Sequence, residues 1–313
     1  MAEPSDPLDR ETRPEAGVVE SVADGVRRLI APNPSPMTFT GTATYLIGDE
    51  SVAVVDPGPL DDGHLEATLE AVGPSGHVEA ILVTHSHRDH SAGARRLSRL
   101  TGAPIRAFGR HGAGMSDRMR ALSEAGLALG GGEGADESFE PDARLGDGDT
   151  VEGRGWRLTA LHTPGHLSNH LCFALEGAGV VFTGDHVMAW ATTLVSPPEG
   201  DMTAFLASLR RLRAREDLLF LPGHGGPVRA PARMIDWQIK HRETRERQIL
   251  AALGDGPADA ESLARRIYAD LDPALLPAAR RNVLAHLLAL VEEGGAAPCG
   301  VLSERASFAL SPG

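Results

Sequence analysis

The chain has 313 residues, of which 42% are hydrophobic and 23% charged, a composition that predicts a soluble globular protein with one large domain and one small one. Its net charge of −13 argues against a generic nucleic-acid binder, because affinity for phosphates depends on clustered Lys and Arg. No apolar run approaches the ~18 to 20 residues that span a bilayer, and Cys172 and Cys299 supply neither a disulfide framework nor a CxxC metal site, so a cytoplasmic protein away from the membrane is expected.

Residues 1–16 are rich in Pro, Asp, Glu and Arg without the apolar stretch of a signal peptide, and a disordered lead-in is expected. From Gly17 to Pro231 short β-branched runs alternate with turns and some helices. Thr44–Gly48 and Ser51–Val55 flank a hairpin turn at Asp49-Glu50, and the second run ends at the chain reversal Asp56-Pro57-Gly58. Leu60–Val72 has helical spacing, with Leu65, Leu69 and Val72 on one face. Val78–Thr84 is an almost unbroken apolar run and reads as a strand buried on both faces. A helix over Ser91–Leu100 and a strand over Pro104–Phe108 follow. Gly112–Glu140, with Gly130-Gly131-Gly132 at its middle, is weakly patterned; a mobile flap and a plain surface loop both fit it. Further strands are predicted at Trp156–Leu161, Leu171–Leu175, Val180–Thr183 and Leu218–Leu221, with Cys172 a small buried hydrophobe.

Past Pro231 the pattern becomes helical: a long amphipathic helix over Ala232–Leu253, closed by Gly254-Asp255-Gly256-Pro257, then helices over Ala260–Leu271 and Leu275–Glu293. With the β-like stretch Ala306–Leu310 this order reads as a winged-helix module. Between Phe205 and Arg247 ten basic residues face five acidic ones, which fits either a solvated helix face or a surface for an anionic substrate. From Gly254 onward five arginines stand against eight acids, so the apolar face of Leu275–Glu293 suits docking or homodimer formation better than a DNA groove.

The chemistry concentrates where the Val78–Thr84 strand stops. His85, His87, Asp89 and His90 lie within six residues, and imidazole and carboxylate are ligands that suit zinc. Three later positions repeat one pattern, a strand and then Gly and then a ligand-type residue: His166 in Thr163-Pro164-Gly165-His166, Asp185 in Gly184-Asp185, and His224 in Pro222-Gly223-His224-Gly225. His170 and His186 read as supporting or pocket-wall residues, whereas His64, His77, His111, His241 and His286 have no partner pattern and are treated as incidental.

In this order HxHxDH, TPGH, GD and PGHG strongly resemble the metallo-β-lactamase superfamily over about Val18 to Pro231. The resemblance implies an α/β fold, an αββα sandwich with a dinuclear site at one edge, covering residues 17–231, with a long helix and a small winged-helix-like domain in 232–313. It implies His85, His87 and His166 for the first metal, Asp89, His90 and His224 for the second, and Asp185 as the bridge. Two Zn2+ ions are expected, with Mn2+ or Fe as alternatives. Aspartate at position 185 departs from the cysteine of the commonest zinc β-lactamases, and His87 replaces a glutamate of the oxygen-reducing di-iron relatives; both activities are disfavoured. The run Gln238–Leu250 and the module after it resemble the β-lactamase-like protein 2 group, which includes a single-strand-selective endoribonuclease and glyoxalase II-like hydrolases.

The expected activity is hydrolysis by a metal-bridging hydroxide oriented by Asp89. The substrate favoured by the acidic composition is a small-molecule ester or thioester of the glyoxalase II kind. Single-stranded RNA is the alternative, favoured by the arginine excess, and a non-catalytic metal-binding regulator is the third reading.

Overall fold

The structure is a computed structural model that describes residues 6–126 and 134–312. The first sheet holds β1 (Glu20–Ala23), β2 (Val26–Ile30), β3 (Ala43–Ile47), β4 (Ser51–Val55), β5 (His77–Leu82), β6 (Ile105–Ala107) and β7 (Ala143–Arg144), which lie side by side in chain order. β1 to β4 form an antiparallel meander, and β4 to β7 pair in parallel. The parallel part needs crossovers, supplied by α1 (Asp62–Val72), the single turn α2 (Arg88–Ser91) and α3 (Ala94–Thr101), with α4 (Asp117–Glu124) between β6 and β7. The second sheet runs β8 (Thr150–Gly153), β9 (Trp156–His162), β10 (Leu171–Leu175), β11 (Val180–Gly184) and β12 (Leu219–Pro222), all antiparallel except β11 and β12, which α5 (Met202–Arg213) connects.

Strand periodicity sorts these residues into layers. Ala53 and Val55 of β4 meet Leu158, Phe173 and Phe182 of the other sheet in the central core, whereas Val52 and Val54 face α1 and α3 through Leu65 and Leu97. On the far side Cys172, Val181 and Phe220 pack under Phe205 and Leu209 of α5 and Ile235 in the next helix. Each fully buried Phe or Leu contributes about 1.5–3 kcal/mol. The result is an αββα sandwich.

The C-terminal region comprises α6 (Pro231–Leu253), β13 (Ala258–Asp259), α7 (Ala260–Ile267), α8 (Leu276–Glu292), β14 (Ala296–Pro298) and β15 (Ser307–Leu310). The three short strands pair in the order β13-β15-β14 beside two helices, which is a winged helix. Its core of Leu263, Val283, Leu287 and Phe308 also takes in Ile249 of α6 and Met119 of α4.

Several sequence expectations change. Residues 6–16, expected to be disordered, are laid along the sandwich: Leu8 packs on the outer core, the Asp9 amide donates to Ala189 O at 2.8 Å, and Pro14 is buried. Residues 1–5 lie outside the described residues, as does the Gly130-Gly131-Gly132 segment of the expected flap. The start of that flap is helical instead, because Ser116 caps α4 by accepting from the Met119 amide, and Arg118 pairs with Glu292 of α8. Pro273–Glu292 is long and apolar enough by composition to cross a bilayer, contrary to expectation. In the fold its apolar residues fill the winged-helix core and, through Ala285 and Ala289, the cluster under α5 and α6.

Candidate metal centre

Four strand ends meet at one edge of the sandwich. β5 runs through Val83 and Thr84 into His85, and His87 is the residue before α2, so the first turn of that helix presents Asp89 and His90. β9 leads to His166 through Gly165, β11 to Asp185 through Gly184, and β12 to His224 through Gly223. The turn after β11 requires glycine twice over. Gly184 has φ 47°, and a Cβ there would lie 2.7 Å from His170 Nε2 and 2.8 Å from Thr84 Oγ1.

The ends converge as two ligand sets, His85, His87, His166 and Asp185 in one and Asp89, His90 and His224 in the other. In the first, His87 Nδ1 is 3.0 Å from His85 Nε2 and 3.1 Å from His166 Nε2. In the second, His90 Nε2, His224 Nε2 and Asp89 Oδ2 are mutually 3.3 Å apart. Ligand atoms around a tetrahedral cation at 2.0–2.1 Å stand about 3.3–3.4 Å apart; the second set has that spacing, and the distances in the first, 3.0 and 3.1 Å between rings and 3.6 and 3.9 Å to Asp185 Oδ2, bracket it. Asp185 belongs to both. Its Oδ2 lies 3.9 Å from His85 Nε2 and 3.6 Å from His166 Nε2, while its Oδ1 lies 3.4 Å from both His90 and His224 Nε2. Oδ1 is buried and has no hydrogen-bond partner among the described residues, an orphan acceptor that a cation would satisfy.

Outward hydrogen bonds set which nitrogen faces inward. The Nδ1–H of His85 donates to Thr84 Oγ1 (2.9 Å), that of His90 to Asp56 Oδ2 (2.8 Å), that of His166 to Leu194 O (2.8 Å) and that of His224 to Gly41 O (3.2 Å). Each turns Nε2 into the centre, where the neutral ring offers a lone pair; His87 is turned the other way and offers Nδ1. Asp56 is the hub of this outer layer, since it also accepts from the amide and hydroxyl of Thr84 at 2.8 Å each. Behind it, Thr44 Oγ1 donates to Asp56 O at 2.6 Å and lies 2.8 Å from His64 Nε2.

The two sets differ electrically. Burial, reinforced by neighbouring histidines, holds His85 well below the usual imidazole range, and burial with His166 beside it brings His87 down to about 3. These rings are neutral and ready to ligate. Burial would lower His90 and His224 too, but Asp89 and Asp185 override it, raising His90 well above its ordinary value and His224 to about 10. Against burial, the same contacts hold both carboxyls well below the carboxylate range. In the second set a cation therefore competes with protons.

His170 stands directly behind the centre: its Nδ1–H donates to Thr163 Oγ1 at 3.0 Å and its Nε2 accepts from the Asp185 amide at 3.2 Å. His186, grouped with it from the sequence, packs edge-on against the His170 ring at 5.9 Å and stacks on Phe205 at 4.6 Å; neither of its nitrogens has a hydrogen-bond partner among the described residues, and it is not among the residues that line the cavity. Asp185 and the loop after it are anchored from the C-terminal region. Thr193 Oγ1 donates to Asp185 O (2.7 Å), the Val195 amide donates to Asn282 of α8 (3.0 Å), and the guanidinium of Arg242, from α6, donates to Thr193 O and lies over Phe205. Arg242 is 1% exposed, so this member of the basic stretch is a buried strut. Arg211, Arg213 and Arg215 of the same stretch pair with Asp147, Asp236 and Asp217.

The centre opens into a cavity of about 690 Å³ reached by His87, Asp89, His166, Asp185 and His224. Met37, Met188, Trp190 and Leu194 form one wall, and Leu271, Leu275 and Ala278 from the winged helix form the other. His241, read as incidental, also lines it. Sequence reasoning missed Asp56, Thr84 and His64 as supports. An acid closing a buried strand at Val55-Asp56, beside the strand that ends in His85, was the available signal for the first.

Comparison with known proteins agrees with this geometry. Residues 37–224 match the Metallo-beta-lactamase superfamily, and residues 260–297 the Beta-lactamase associated winged helix domain. A Beta-lactamase-like protein 2 homolog of Drosophila melanogaster is 30% identical over 286 residues, which cover 88% of this chain and 91% of that protein. An Atrochrysone carboxyl ACP thioesterase of Claviceps purpurea is 30% identical over 250 residues, covering 77% of this chain and 69% of that protein. The crystal structure of a Beta-lactamase domain protein from Burkholderia ambifaria matches with a TM-score of 0.78 and 25% identity, covering 96% of each chain.

Proposed function

The chain belongs to the metallo-beta-lactamase superfamily, and from that premise we propose that it is a dinuclear metal-dependent hydrolase of a small-molecule ester or thioester. The observation that carries the dinuclear reading is Asp185, a buried carboxylate with one oxygen toward each ligand set. His85, His87 and His166 would hold one cation, Asp89, His90 and His224 the other, and Zn2+ is the first choice for this donor set, with Mn2+ or Fe as alternatives. When bound, such a pair lowers the pKa of water and polarises the substrate oxygen.

The residues of the chain supply the rest. Asp89 lines the cavity and has Oδ2 fixed by Thr42 Oγ1 at 3.1 Å, so it is placed to orient a water and accept its proton. The walls are mainly apolar and suit an acyl group, while Arg88 and Arg281 are the cations of the lining. A relative that is an acyl-carrier thioesterase supports the thioester in particular.

The test is metal analysis of the purified protein with parallel assays on an acyl thioester, an oxygen ester and single-stranded RNA. Close to two equivalents of metal and turnover of the thioester are expected. One equivalent or none removes the dinuclear reading, cleavage of RNA alone removes the ester reading, and full activity in Asp185→Ala removes the site assignment.

A further inference from the structure

A second cavity, of about 860 Å³, adjoins the metal pocket and shares Trp190, His241, Tyr268 and Leu271 with it. Its lining runs against the character of the chain. In a protein of net charge −13, this groove collects Arg10, Arg13, Lys240 and Arg245 against one acid, Asp6. Asp6 is already taken, paired with Arg10 at 3.1 Å. Arg13 lies over the Phe39 ring at 4.8 Å and Arg245 over Tyr268 at 4.3 Å; among the described residues neither they nor Lys240 has a carboxylate partner. Phe39 stacks on Trp190 at 4.9 Å and Trp237 on His241 at 5.4 Å, so flat apolar faces lie between the cations.

Arg245 also donates to Gln248 Oε1 at 2.7 Å, but guanidinium and ammonium groups that lack a carboxylate partner and line one groove are the chemistry of phosphate recognition. The neighbouring metal pocket has apolar walls in Met37, Met188, Trp190, Leu194 and Leu271, the chemistry that suits an acyl group. We propose that this groove binds the phosphate-bearing pantetheine arm of the thioester substrate, so that the arm crosses the shared wall at Trp190 and Tyr268 and delivers the thioester carbonyl to the metal centre. The assignment rests on the thioesterase reading. Single-stranded RNA fits less well, because a polynucleotide needs a cationic track continuing past the groove. The residues from Gly254 onward instead carry five arginines against eight acids.

The test is calorimetric titration of phosphopantetheine into the full-length, metal-loaded protein, together with kcat/KM for acyl-CoA, acyl-phosphopantetheinyl carrier protein and phosphate-free acyl-pantetheine. Arg13→Gln and Lys240→Gln, both at the groove surface, should each weaken phosphopantetheine binding about tenfold and reduce the preference for the phosphorylated substrates over acyl-pantetheine by a similar factor. Loss on both phosphorylated substrates supports recognition of the shared phosphate, and loss on one supports it while naming the source. Absence of saturable binding overturns the inference, as does binding unchanged in both variants, or a loss confined to a single-stranded RNA oligonucleotide titrated in parallel. Variant-sensitive binding with no thioester hydrolysed would uphold the groove and refute the thioesterase reading instead.

Discussion

Replacing Asp56 by Asn isolates what the outer layer does for the metal centre. Asp56 has its carboxylate fully engaged: Oδ1 accepts from the Thr84 amide, and Oδ2 from both Thr84 Oγ1 and His90 Nδ1, each at 2.8 Å. Asparagine preserves the shape and tolerates the backbone φ of 51° at this position. It has a single acceptor oxygen, however, and two groups that only donate, the Thr84 amide and His90 Nδ1–H, compete for it. If the oxygen stays with Thr84, the amide nitrogen faces His90, whose Nδ1–H either loses its partner or moves to Nε2, where it blocks the lone pair aimed at the cation. Rotating the amide only moves the conflict to the buried Thr84 N–H. Leaving a buried donor unpaired costs about 1–3 kcal/mol. At about 1.4 kcal/mol per tenfold, second-set metal affinity should fall roughly 5- to 150-fold, which spans the ~10- to 100-fold losses typical of outer partners of metal ligands. Competition titration with a chromophoric chelator reads this directly, and the first equivalent of metal should be affected less than the second. An Asp56→Asn protein binding both equivalents within twofold of the wild type would refute the argument that Asp56 fixes His90.

Three further outcomes follow from the same geometry. A Cβ on Gly223 would lie 2.6 Å from both Asp185 Oδ1 and His90 Cε1, so Gly223→Ala should lose most of its bound metal; metal analysis showing both equivalents would contradict this. Arg242→Ala should destabilise the fold by about 3 kcal/mol, since it strands Thr193 O and leaves a hole beside Phe205, and urea unfolding with a loss below about 1 kcal/mol would exclude the strut role. Burial pushes His64 down to about 4, against about 6.5 in the unfolded chain. The unfolded state thus binds the extra proton, and the stability from neutral His64, at most about 3 kcal/mol, is present above pH ~6.5 and lost as the pH falls toward 4. The gap in unfolding midpoint between wild type and His64→Gln should narrow over that window, and a gap independent of pH would disprove the linkage.

What was legible in the sequence was chemistry forced into unusual places. His85, His87, Asp89, His90, His166, Asp185 and His224 stand out because core packing gives no reason to put imidazoles and carboxylates directly after apolar strands, and glycine marks three of the turns. Asp56 hid because its role arises only when β4 and β5 pair, which brings residue 56 against residue 84. Arg242 was misread for a related reason. A helix pattern counts the charges on α6 but does not say which turn slides under another element, and this guanidinium is buried over Phe205. The N-terminal segment was misjudged on composition, although a few apolar anchors such as Leu8 and Pro14 suffice when a groove exists to receive them.

The attachment of the Asp185 loop to Arg242 and Asn282 has a consequence for modularity. The residues between Asp185 and Val195 connect the Asp185 carboxylate to a helix and a winged helix that come later in the chain. The sandwich is therefore not a freestanding unit to which a tail was added, and a chain cut at Pro231 would surrender the struts of its own metal centre. Exchanging the winged helix among relatives would therefore replace the Asn282 anchor of the Asp185 loop together with one wall of the cavity, so the two change as one piece.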